Sequence, residues 1–123
     1  MIYSIQKLVE YPCIVGFRKK KPEHKLVYNI NLLYKKINWA AGLSEDLWAC
    51  HTAEVAGYTV EGHVPARELT RLLQERPAAL GIATPGMPAG SPGMEYGNER
   101  GAFDVVLVGL DRSQQVYASY PGN

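Results

Sequence analysis

Cys50-His-Thr-Ala-Glu-Val-Ala-Gly-Tyr-Thr-Val-Glu-Gly-His-Val-Pro-Ala66 is the stretch whose reading decides the fold. Thr52 to Val55 and Tyr58 to Glu61 alternate polar and apolar residues, the period of a half-buried strand. Ala56-Gly57 lies between them and suits a two-residue hairpin turn that requires positive φ. With that turn, Val55 faces Tyr58, Ala53 faces Val60 and Cys50 faces His63. One side of the hairpin then carries Ala53, Val55, Tyr58 and Val60 toward a core. The other carries Cys50, Thr52, Glu54, Thr59, Glu61 and His63. Opposed residues hold their Cβ atoms roughly 4.5–5.5 Å apart, close enough for a thiol and an imidazole to share a metal ion or a proton. A slip of one residue puts His51 opposite His63 instead. The plain alternative is an ordinary hairpin with a small buried Cys and solvated His residues.

Downstream, Pro65 suits the first turn of a helix running to about Glu75 and ended by Pro77. Leu69, Leu72 and Leu73 form its apolar stripe, with Arg67, Glu68, Arg71 and Glu75 around the rest. Gly81 to Glu95 contains Pro-Gly-Met twice, at Pro85 to Met87 and Pro92 to Met94. Its proline content argues against a helix or a central strand and favours a functional loop. Met87 and Met94 offer two thioethers, soft ligands suited to Cu(I), or else two apolar plugs that seat the loop on the core. Phe103 to Leu110 reads as an apolar strand, Asp111 to Gln115 as a turn, and Val116 to Tyr120 as a returning edge strand. Upstream, Gly42 closes an element and Ser44 is a suitable N-cap for a short turn of Glu45, Asp46 and Leu47.

The 123 residues suit one domain, and the net charge of +1 selects no class of partner. That average hides a division. Residues 1–39 hold all seven lysines and Arg18 against Glu10 and Glu23, a net +6. Residues 40–123 hold five arginines and ten acids, a net −5, together with eleven of the twelve glycines and every alanine. Such a break is expected of a segment with a separate origin, joined near Ala40. Within it, Cys13 to Phe17 reads as a buried strand and Leu26 to Trp39 as a helix. Arg18 to Lys21 is a basic run that reads as a solvated turn rather than a nucleic-acid site. No secretory signal and no membrane span is visible.

Several motifs together resemble the CopG-type family of bacterial copper-resistance proteins over residues of about 41–120. They are Cys50-His-Thr-Ala, Gly57-Tyr, Val60-Glu-Gly-His-Val-Pro-Ala66, Leu72-Leu73, Arg76-Pro77 and Pro85-Gly-Met-Pro-Ala-Gly-Ser-Pro-Gly-Met-Glu95. The resemblance implies an α/β, thioredoxin-like fold with a mixed sheet, in which a β-hairpin is followed by a helix. It also implies a periplasmic location and a copper-thiolate site. Carried onto this chain, its candidate ligands are Cys50, His51, His63, Met87 and Met94, with metal-homeostasis proteins as partners. The family's Cys-x-Cys-Cys motif is missing, and Cys13 is the only other cysteine. The expectation is therefore a Cu(I)-binding protein with a site impaired by the missing motif. Zinc ranks behind copper because no four-ligand zinc set is spelled out. A degenerate remnant without metal chemistry is the next reading. A one-thiol oxidoreductase with His63 activating Cys50 comes last.

Overall fold

A computed structural model describes residues 5–10, 42–49 and 51–123, the first of these segments as backbone. Six strands form a single mixed sheet, arranged across it in chain order. They are β1 (Ile5–Glu10), β2 (His51–Val55), β3 (Tyr58–Glu61), β4 (Ala79–Ala83), β5 (Phe103–Gly109) and β6 (Gln114–Tyr120). One helix, α1 (Ala66–Glu75), joins β3 to β4. Those two strands are parallel and every other neighbouring pair is antiparallel. The parallel pair needs a crossover connection, which α1 supplies and a two-residue turn such as Ala56-Gly57 could not.

The hairpin has the register read from the sequence. Val55 pairs with Tyr58, Ala53 with Val60 and Thr52 with Glu61. Ala56 and Gly57 both take positive φ, 49° and 85°, as a twisted two-residue hairpin turn demands. Ala53, Val55, Tyr58 and Val60 join Leu72 of α1, Ile82, Val105 and Tyr117 in one core. Leu69 and Leu73 pack against its edge. Leu43, Leu47, Ala83 and Val108 form a second cluster. Ile82 and Ala83 are consecutive residues of β4, so the two clusters lie on opposite faces of the sheet.

Several local expectations are corrected. Residues 81–83 do belong to a central strand, with Ile82 and Ala83 fully buried. The strand is possible because the prolines begin only at Pro85, beyond the ladder. Ser44 precedes a short 3-10 turn at Glu45–Leu47 but makes no side-chain cap. Its Oγ accepts a hydrogen bond from Gln114 Nε2 at 2.9 Å instead, and Asp46 accepts a second at 3.2 Å. Hydrogen bonds from Ser44 and then Gln114 hold the Asp46 carboxyl below its ordinary range. Glu68 is buried, not on the solvated side of α1, and accepts the Tyr120 hydroxyl at 2.6 Å. The left-handed residue Arg76, φ 48°, ends the helix one residue before Pro77.

β1 comes from the lysine-rich segment and pairs with β2, Leu8 opposite Ala53 and Glu10 opposite His51. The expected strand at 13–17, the expected helix at 26–39 and the basic run at 18–21 lie outside the described residues. No described helix is long and apolar enough to cross a membrane.

Candidate metal site at the end of the hairpin

The parallel strands β3 and β4 both run out toward the same end of the sheet, Thr59 beside Gly81 and Glu61 beside Ala83. Their continuations carry the candidate residues. β3 leaves the ladder through Gly62, whose amide donates to His51 O at 2.8 Å. Gly62 has φ 77°, and a Cβ there would come within 2.5 Å of Thr84 O and 2.7 Å of the Ala49 Cβ. Only glycine therefore brings the chain round at this point. The bend delivers His63 to His51, their rings meeting edge to face with centroids 4.9 Å apart.

β4 continues into the Pro/Gly loop. Ser91 is fully buried and donates its hydroxyl to Pro88 O at 2.6 Å. The backbone closes between Gly90 N–H and Met94 O at 2.8 Å. These bonds compact residues 88–94 and present the Pro92 carbonyl to His63 Nδ1 at 2.7 Å. A carbonyl only accepts, so Nδ1 carries a proton, and in the neutral ring Nε2 keeps its lone pair. His63 Nε2 is buried and has no hydrogen-bond partner among the described residues. An imidazole whose one nitrogen is fixed by a carbonyl and whose other nitrogen is free to donate its lone pair has the usual arrangement of a metal ligand.

Four of the five sequence candidates lie among the described residues. His51 and His63 are brought together. Met94 lies in the compact turn that touches His63 through Pro92. Met87 lines a cavity of about 510 Å³ with Pro85, Pro88, Ala102, Phe103, Asp104 and Val106. Cys50 lies outside the described residues. Among the described residues no group of three or more His, Cys, Asp or Glu side chains is placed to hold a metal. Two elements were missed from sequence. The Pro92 carbonyl gives no sequence signal as a ligand support. Glu61 was placed opposite Thr52 by the register but gave no sign of its complete burial.

A family model described as a protein of unknown function, DUF411, matches residues 47–94, the interval that contains all five candidates. Two solved structures, Copper resistance protein copG Form 2 and Form 1, superpose on the chain with a TM-score of 0.68 each. They share 40% and 41% sequence identity with it, over 72% of this chain and 70% of theirs. The chain belongs to the CopG family. No curated protein matches it. As a CopG-family chain it shares the mixed α/β sheet of these structures.

The donor set suits a soft cation. The orphaned Nε2 of His63 supplies one imidazole, His51 stands beside it, and Cys50 precedes His51 directly in sequence. A soft cation bound there would take up the buried lone pair that has no partner among the described residues.

Proposed function

We propose that this CopG-family chain serves in copper resistance by binding Cu(I) at the end of the hairpin. Cys50, His51 and His63 are the ligands, with Met94 as a soft supplement. The observation that carries this reading is the buried Nε2 of His63, unpartnered among the described residues, on a ring whose Nδ1 is held by Pro92. The family membership supports copper as the metal, because both solved relatives are copper resistance proteins. Thiolate, thioether and imidazole donors favour Cu(I) over harder ions and over zinc. With Cys13 the only cysteine besides Cys50, the chain lacks the sulfurs for a multi-copper thiolate cluster. The site is accordingly suited to a single ion. In this reading Met87 serves as the apolar plug of the loop, beside Phe103 and Val106. The periplasm, where copper is met outside the reducing cytosol, is the proposed location.

The test is an anaerobic Cu(I) titration of the reduced protein against a chromophoric chelator. Wild type is expected to compete for the ion, with competition lost in Cys50→Ser and His63→Ala. Failure of the wild type to compete overturns the reading.

A further inference from the structure

Glu61 is completely buried, with 0% of its surface exposed. Its Oε1 accepts the Ala49 amide at 2.8 Å, and its Oε2 accepts the Thr52 hydroxyl at 2.5 Å. Those donors stand immediately before and immediately after the dipeptide Cys50-His51. The same residue is anchored from the other side, where Thr84 N–H donates to Glu61 O at 2.9 Å. The neighbouring Gly62 amide holds His51 O. A buried carboxylate is costly unless its oxygens are hydrogen-bonded. Glu61 lies opposite Thr52 and beside Ala83, where well-packed apolar side chains often serve stability as well as buried charges do. What an apolar residue cannot do is grip the chain at two points three residues apart. The carboxylate does so, and the span between its two grips is the segment that carries two candidate ligands.

We infer that Glu61 is a positioning residue, which fixes His51 against His63 without touching the metal. The inference rests on the copper-binding reading of this site. It requires both oxygens to accept. Glutamine has one accepting oxygen, which can keep the Ala49 amide, and its amide nitrogen must then donate to Thr52. The Thr52 hydroxyl has to turn round and the grip changes.

The experiment uses the full chain, reduced, as Glu61→Gln, Thr52→Val and the double variant. Three quantities are measured: the melting temperature, the long-range ¹H–¹⁵N ring signals of His51 and His63 without metal, and Cu(I) affinity by chelator competition. Glu61→Gln is expected to fold, to move the His51 ring signals and to weaken Cu(I) on the order of tenfold, as loss of a ligand's support typically does. Thr52→Val is expected to do the same, and the double variant to add little, because both act through one grip. If Glu61→Gln fails to fold, Thr52→Val decides the matter by the same readings. A lower melting temperature with unmoved ring signals and unchanged affinity overturns the inference and leaves Glu61 a structural residue. If the wild type itself binds no Cu(I), the copper reading falls on its own. The metal-free ring signals then decide Glu61, upholding the inference if they move and overturning it if they do not.

Discussion

His63 Nδ1 donates to the carbonyl of Pro92, 2.7 Å away and 29 residues along the chain. This single bond ties the Pro/Gly loop to the end of the hairpin and decides which imidazole nitrogen is available. The residue after Pro92 makes it testable. Gly93 has φ 84°, and a Cβ there would lie 3.4 Å from His63 Nδ1. Gly93→Ala forces a left-handed alanine, at about 1–2 kcal/mol, in the turn that carries the Pro92 carbonyl, with its Cβ in contact with the ring. Cu(I) affinity is expected to fall about tenfold, with a lower melting temperature. Wild-type affinity in a folded Gly93→Ala protein would show that the Pro92 carbonyl does not orient the ring.

The tyrosines of β6 set a pH dependence. Tyr117 donates its hydroxyl to Glu75 at 2.8 Å and Tyr120 donates to Glu68 at 2.6 Å. Burial first, and the carboxylate hydrogen bond second, push each phenol from 10.0 up to about 12. The Arg71 guanidinium, 3.8 Å over the Tyr117 ring, opposes the rise without cancelling it. A phenol whose pKa is raised on folding contributes stability that is complete below pH 10 and is lost as pH climbs to about 12. Urea unfolding followed across that window is expected to show falling stability. The fall should be shallower in the Tyr117→Phe, Tyr120→Phe double variant. An equal slope in both proteins would count against the shifted phenols.

The hairpin turn carries a removable strain. Ala56 sits at φ 49°, a region that alanine enters at a cost, while Asn-Gly is the favoured pair for such a turn. Ala56→Asn is expected to stabilise the fold by about 0.5–1 kcal/mol. Its backbone carbonyl, which accepts from Arg76 at 3.2 Å, is kept. Chemical denaturation checks this, and a loss of stability would mean that the Ala56 methyl makes a contact worth more than the strain.

What could be read from sequence was what neighbouring residues determine. Ala56-Gly57 and the alternation on either side fix the hairpin register, and three leucines at helical spacing fix α1. The residues that escaped have distant partners. Glu68 looks like an exposed helical acid until Tyr120, 52 residues on, is folded over it. β4 was hidden because Gly81, Ile82 and Ala83 run straight into a proline-rich loop, and only pairing with β3 and β5 makes them a strand. β1 has little alternation of its own and is defined by its ladder with β2. At the hairpin end, the register read from sequence brings His63 near the Cys50-His51 dipeptide, and the rings of His51 and His63 meet. The sequence had no means of showing that Pro92 would hold the ring or that Met87 would line a cavity with Phe103.

The central claim is that His63 presents a bare Nε2 to Cu(I). Long-range ¹H–¹⁵N spectra of the reduced protein, recorded anaerobically before and after adding Cu(I), address it directly. The expected result is an Nδ1–H tautomer for metal-free His63, with the Nε2 resonance moving when Cu(I) is added and Nδ1 still protonated. A metal-free His63 with its proton on Nε2, or resonances that Cu(I) leaves unmoved, contradicts the claim.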